Sequence, residues 1–279
     1  MSRILLTGGS GFIGRALASS LATGHDVTCI GRRKPDADVR FVRGLFSSFE
    51  DLRQLDACDF DVAIHLAAVT GGCSERDGML VNVEGTRCLM RYLIDRGCRK
   101  FVLASSIAAV GMQSVKFRPL ALPIPDEHPC LDRDGYGFSK HMMEEVTKYY
   151  WRQNEDIDVI NLRLASILPD DATRRPYEAG PVSRWSFGLI TVMYLSDCVR
   201  AFTLAAEAPH KPGVRIMNAT APHANVAEGI PHVVRTWYPD ADLDLSHYER
   251  AGHERDSAFD IRRIEEELGF VAQRDPLKS

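Results

Sequence analysis

The segment that most constrains this chain is Thr7-Gly8-Gly9-Ser10-Gly11-Phe12-Ile13-Gly14. The apolar run Ile4-Leu5-Leu6 leads straight into it and reads as a short buried strand. Beyond it, Phe12, Ile13, Ala16, Leu17 and Leu21 recur at helical spacing up to Gly24. A strand, a glycine turn and a helix in that order are the context a dinucleotide-binding fingerprint requires. Gly8 permits the tight turn, Gly11 lets the backbone approach a pyrophosphate, and Gly14 lets helix pack on strand. Free N–H groups and the dipole at the helix start then favour an anion. Ser10, Phe12 and Ile13 lie between these glycines and belong to the same expected site.

The spacing G-x-x-G-x-x-G inside T-G-G-x-G-F-I-G resembles the extended short-chain dehydrogenase/reductase family, also called the NAD-dependent epimerase/dehydratase family. The resemblance implies an α/β fold: a Rossmann-type doubly wound parallel sheet with a smaller C-terminal substrate-binding part. Residues 1–165 are expected to form the dinucleotide-binding domain. Residues 166–279 are expected to be mostly substrate-binding, with some segments returning to the core.

Later segments extend the match. Asp26–Ile30 reads as the second strand and ends at Gly31-Arg32-Arg33, about 20 residues past the turn, where this fold reads the adenosine ribose. An NAD site would place Asp or Glu there. Two guanidinium groups suit the extra phosphate of NADP instead, so NADP is the expected cofactor, with NAD possible. After the strand Arg40–Gly44, Leu45 stands where the family commonly has an adenine-binding Asp. The fourth strand runs into His65-Leu66-Ala67-Ala68, which matches the family's H-x-A-A segment and places Leu66, Ala67 and Ala68 below the cofactor. His65 itself reads as structural. A helix from about residue 75 to 96 carries Asn82-Val83-Glu84-Gly85-Thr86, the family's N-x-x-G-T element, and Asn82 is assigned to the cofactor side.

The strand Lys100–Ser105 ends at Ser106, where a hydroxyl stands at the carboxyl end of a sheet strand. Laid without gaps on the family pattern S-S-x-x-V-Y-G, Val110 occupies the Tyr position. Further on, Tyr136-Gly137-Phe138-Ser139-Lys140 matches Y-G-x-S-K. Tyr and Lys at this spacing share a helix face, so an ammonium lies near a phenol. The resemblance implies Ser106, Tyr136 and Lys140 as the catalytic set, with Tyr136 and Lys140 also touching the cofactor. A free Tyr titrates near 10, and a neighbouring ammonium and oxidised nicotinamide are expected to lower it.

Three reactions share this machinery. Dehydratases of the family carry Asp and Glu just after the serine position, where this chain has Ile107 and Ala108, so dehydration is rejected. Epimerases commonly place a diphosphate-binding Arg where this chain has Ile190. The expected activity is therefore hydride transfer to or from a hydroxyl or carbonyl carbon of a small sugar, sugar acid or similar compound. The alternatives are a nucleotide-sugar epimerase and a catalytically silent NADP-binding sensor. Arg174, Arg175 and Arg184, in the Pro- and Gly-rich stretch before the segment Tyr194–Ala201, and Arg250 are the candidate anion-binding residues beside Ser106. Tyr194–Ala201 resembles the family's H-V-x-D-V-A-x-A segment.

A formal net charge of -4 gives no electrostatic case for nucleic acid or an anionic membrane. The seven cysteines are odd in number and form no C-x-x-C pair, so no metal site or disulfide framework is expected. No apolar run reaches membrane-spanning length and the first strand leaves no room for a signal peptide, so a cytoplasmic protein is expected. In the family, the two long helices form a homodimer interface, and a homodimer is expected here.

Overall fold

The computed structural model describes residues 1–278. Its first half alternates strands and helices: β1 (Arg3–Thr7), α1 (Phe12–Leu21), β2 (Asp26–Gly31), β3 (Arg40–Arg43), α2 (Phe49–Leu52) and β4 (Val62–His65). A short helix, α3 (Glu75–Asp77), passes through a π-helical stretch (Gly78–Val83) into α4 (Glu84–Asp95). Then come β5 (Lys100–Ser106), α5 (Gly135–Gln153), β6 (Asp158–Leu164), β7 (Ser166–Leu168), α6 (Ser186–Ile190) and β8 (Val192–Tyr194). The chain continues through α7 (Leu195–Glu207), β9 (Gly213–Ala219), α8 (Ile230–Trp237) and α9 (Arg262–Leu268).

Seven strands form one parallel sheet in the order β3-β2-β1-β4-β5-β6-β9. The order reverses between β1 and β4, which creates the crevice in which such sheets bind ligands. Alternation along each strand supplies two cores. Ile4 and Leu6 face one side with Val62, Ile64, Val102 and Ile160, where α1 and α7 pack together. Leu5 faces the other with Ala63, Phe101, Leu103 and Val159, against α4 and α5. From the second half of the chain, α7 and β9 complete this frame, while β7 and β8 pair as a separate parallel ribbon.

Among the described residues, no helix is long and apolar enough to cross a membrane, and all seven cysteines are free thiols.

Candidate active site

The glycine turn has the shape its sequence requires. Gly8 sits at φ +75, and a Cβ there would lie 2.7 Å from the Ala67 amide nitrogen. A Cβ on Gly14 would lie 2.0 Å from the Gly8 carbonyl oxygen, so α1 reaches the turn only because that atom is missing. Gly11 caps α1 with no side-chain bond, leaving the first amides of the helix to a ligand. The cradle opens into a cleft of about 620 Å³, which Gly8, Ser10, Gly11, Phe12, Ile13 and Gly14 line from one side. Leu66, Ala67 and Ala68 line it from the β4 side. This cradle fits the pyrophosphate of a dinucleotide.

Arg32 and Arg33 line the same cleft, exposed and without a carboxylate partner. Among the described residues the cleft is lined by no Asp or Glu at all, so these two guanidinium groups are its charge. Leu45 and Phe41 also line the cleft, Leu45 exposed, and the Leu45 amide donates to Asp51 Oδ2 at 2.7 Å.

His65 is structural, and its tautomer can be worked out. The Thr86 hydroxyl donates to the Asn82 carbonyl at 2.6 Å, so it accepts from His65 Nε2 at 3.1 Å. His65 Nδ1 then accepts from the Thr7 hydroxyl at 2.6 Å. Thr7 Oγ1 in turn accepts the Ala67 amide at 3.2 Å, which fixes the loop below the cofactor. Burial pushes the imidazole down to about 3, so it stays neutral.

Asn82 does not line the cleft, contrary to its assignment from sequence. It is fully buried in the π-helical stretch. Its Oδ1 accepts the Val69 amide at 2.8 Å, and its Nδ2 donates to the Val69 carbonyl at 2.9 Å and to Ser139 Oγ at 2.9 Å. Ser139 donates to the Tyr136 carbonyl at 2.8 Å. Val69 lines the cleft, so Asn82 couples the cofactor loop to the helix that carries Tyr136. An Asn82→Leu variant is expected to lose about 2–4 kcal/mol of stability, since it strands the Val69 backbone groups. Its kcat should fall more than its cofactor affinity. Denaturant unfolding and steady-state kinetics on the same preparation check both.

Ser106, Tyr136 and Lys140 come together at the carboxyl end of β5. Asp134 caps α5, accepting the Tyr136 and Gly137 amides at 3.0 Å each, and so starts the helix at Gly135, with the tyrosine in its first turn. A Cβ on Gly137 would lie 2.6 Å from the Ala108 carbonyl, so glycine there lets α5 close on the turn after Ser106. Lys140 is buried, and its Nζ donates to the Ala104 carbonyl at 2.7 Å and lies 5.8 Å from the Tyr136 ring centroid. Ala104 itself lines the cleft. Burial pushes the ammonium down to about 8, while the nearby Glu144 carboxylate works against that shift.

The Tyr136 phenol departs from expectation. Burial lifts it to about 12; a hydrogen bond from Ser106 pulls it down, and Cys73 and Asp134 push it further up. Lys140 is turned onto the Ala104 carbonyl, and burial favours the protonated phenol. Ser106 accepts the Ala108 amide at 3.1 Å, and its one O–H faces the Tyr136 oxygen.

Under the lysine lies a buried ion pair that the motifs did not reveal. Glu144 Oε1 accepts from Arg163 Nε at 2.8 Å and from Ser105 Oγ at 2.6 Å, and Oε2 accepts from Arg163 at 2.8 Å. Another Arg163 nitrogen donates to the Asp126 carbonyl at 2.9 Å. The sequence signal for it is an Arg in a fully buried strand that also carries Asp158 and Asn161.

The arginines divide. Arg174 is half-buried with no carboxylate partner, and burial lowers its guanidinium from the usual range. Arg175 is exposed. Arg184 is exposed and lies over the Trp185 ring, 5.3 Å from its centroid. Arg250 is not free for a substrate: it donates to His247 Nδ1 at 2.8 Å and to the His247 carbonyl at 3.2 Å. That bond fixes the His247 proton on Nε2, facing Asp256 at 2.8 Å, where His253 also meets the same carboxylate oxygen. The grouping of His247, His253 and Asp256 is thus a hydrogen-bond network, since a metal would need the Nε2 lone pair. Ile190 is buried in the apolar core, and no arginine takes its place there.

Comparison with known proteins agrees with this geometry. Residues 4–219 match the model of the NAD dependent epimerase/dehydratase family. The chain belongs to that family. This epimerase/dehydratase member is 30% identical to an L-arabinose 1-dehydrogenase (NAD(P)(+)) of Haloferax volcanii, over 75% of this chain and 84% of that one. It is 29% identical to a UDP-glucose 4-epimerase of Cyamopsis tetragonoloba, over 57% of this chain and 50% of that one. Its fold superposes on a mutated uronate dehydrogenase with a TM-score of 0.71 at 22% identity, covering 99% of this chain and 83% of that one. It is an enzyme of the extended short-chain dehydrogenase type, and an NAD(P)-dependent oxidoreductase fits both its site and its relatives.

Proposed function

We propose that this protein is an NADP-dependent dehydrogenase or reductase of a small hydroxylated acid. The observation that carries the reading is the meeting of Ser106, Tyr136 and Lys140 beside a cleft whose charge is Arg32 and Arg33 alone. A bound nicotinamide supplies the hydride acceptor or donor. The protein's residues supply position and proton. Ser106 donates to the substrate oxygen and holds it in place. Tyr136 gives its proton to a carbonyl oxygen in the reducing direction and, as the phenolate, takes the carbinol proton in the oxidising direction, so oxidation should speed up as pH rises. Lys140 holds positive charge near the phenol. Residues 166–279 furnish the substrate side, where the half-buried Arg174 is the strongest candidate to hold an anionic group, with Arg175 and Arg184 nearby in sequence. Arg250 is dropped from this set.

The printed activities of relatives include both a sugar dehydrogenase and nucleotide-sugar epimerases. Ile190, buried where an epimerase commonly has its diphosphate-binding Arg, favours the dehydrogenase. A turnover screen of uronic acids, aldonic acids, sugar phosphates and nucleotide sugars, followed by cofactor absorbance, tests the choice. Reduction of cofactor by an acid supports the proposal, and efficient turnover of a nucleotide sugar contradicts it.

NADP should bind more tightly than NAD. Each guanidinium that bonds the extra phosphate contributes about 1.5–3 kcal/mol, or roughly 10- to 100-fold in affinity. Titration of wild type and of Arg32→Ala/Arg33→Ala with each nucleotide checks this. The double variant should lose affinity for NADP and keep it for NAD. Equal or tighter NAD binding by the wild type would show the arginines to be merely solvated.

The reading includes a homodimer formed through the outer surface of α4 and α5, where Tyr149 and Trp151 are exposed. The mass in solution decides that. Seven free thiols suit a cytoplasmic setting.

A further inference from the structure

Three loops meet just beyond the cofactor cleft. Val69 and Thr70 line the cleft, and exposed Gly71 follows them. A Cβ on Gly71 would lie 3.0 Å from Trp185 Cη2 and 3.6 Å from Gln113 Nε2. Gly71 follows β4, Gln113 follows β5, and Trp185 directly precedes α6. The meeting point therefore stands at the carboxyl ends of two adjacent strands, on the side where such sheets bind ligands.

The groups gathered there have unused bonding capacity. Gln113 is only 8% exposed, yet its Oε1 has no hydrogen-bond partner. A buried amide oxygen left unpaired costs about 1–3 kcal/mol. Trp185, by contrast, is 43% exposed, a large ring held open beside that amide. A primary amide both donates and accepts, which matches a hydroxyl group, itself both donor and acceptor. An indole face next to it covers aliphatic C–H surface.

We propose that Gln113 and Trp185 form a specificity subsite that grips a hydroxylated, non-reacting part of the substrate, with Gly71 letting the Trp185 ring close in beside the amide. The subsite rests on the dehydrogenase reading and names the residues that choose its substrate. Gln113 pairs with a hydroxyl one or more carbons away from the reacting centre, and Trp185 packs on the carbon skeleton. A compound lacking hydroxyls leaves the amide unpaired and forfeits that interaction.

The test uses the full chain carrying Tyr136→Phe, saturated with NADP, so that binding is read without turnover. D-Gluconate, D-glucuronate, L-arabinose and cyclohexanecarboxylate are titrated calorimetrically. The same titrations follow with Gln113→Leu added, and separately with Gly71→Ala, whose new methyl presses on the Trp185 ring and displaces it. Each added change is expected to weaken the hydroxylated probes by on the order of 10- to 100-fold. NADP affinity should stay the same, which also shows that the variants are folded, and with Gln113→Leu so should that of cyclohexanecarboxylate. Equal affinity of the hydroxylated probes with and without Gln113→Leu overturns the subsite, as does the absence of binding by all three. The two readings fail separately. An epimerase with this subsite would still show the selective loss in binding. A dehydrogenase without it would keep its kcat/KM on a hydroxy acid when Gln113→Leu is made in the otherwise wild-type chain.

Discussion

Replacing Tyr136 by Phe should lower kcat on the order of 1,000-fold or more while cofactor affinity changes little. The substitution removes only the phenolic oxygen, and general acid–base groups contribute about 100- to 10,000-fold. Tyr136 is the group beside Ser106 whose proton is held through neutral pH, because burial lifts it to about 12. The helix that carries it is fixed by Asp134 at its start and by Ser139 and Asn82 from the side, so the loss should come from chemistry and not from disorder. Steady-state rates with a titration of NADP on the same sample check the pair of outcomes. Activity within tenfold of wild type would remove Tyr136 from its role.

Breaking the buried pair below the site should have the largest effect on stability. Glu144 and Arg163 have side chains 1% and 3% exposed. Arg163→Met leaves the Glu144 carboxylate buried with the Ser105 hydroxyl as its remaining hydrogen bond and Lys140 as the nearby charge, and removing one partner of such a pair costs about 3–5 kcal/mol. Adding Glu144→Leu to Arg163→Met should restore most of that loss, because the pair itself repays its desolvation only in part. Denaturant unfolding of both single variants and the double variant measures the cycle. The double variant should nevertheless lose activity, since Glu144 is the main group opposing the desolvation of Lys140. A single-variant loss below about 1 kcal/mol would mean that water reaches the pair.

The frame of the molecule was legible in the sequence because it depends on local rules. Short continuous apolar runs, separated by helical periods, placed β1 through β6 and the helices between them. Glycines that no other residue could replace marked the cofactor turn. What the sequence did not show is what only three-dimensional neighbours decide. The short ribbon of β7 and β8 has three residues in each strand, too few for a period to register. Asn82 carries the same letter whether it faces a cofactor or braces a loop, and only the Val69 and Ser139 contacts distinguish the two. Lys140 stands near the Tyr136 ring as the spacing implies, while the burial that lifts the phenol is not written in the motif. Arg250 likewise looked free until His247 was found against it. Gln113 and Trp185 belong to no motif and meet only through folding.

The central claim, that hydride moves from a small hydroxylated acid to the cofactor and stays there, is tested most directly with deuterium. An acid found to turn over is prepared with deuterium on its carbinol carbon and incubated with NADP and the enzyme, and both products are analysed by mass spectrometry. The label should appear on the reduced cofactor in an amount equal to the oxidised acid formed. Label retained on the substrate carbon, with inverted configuration and no net cofactor reduction, would make the protein an epimerase and contradict the account.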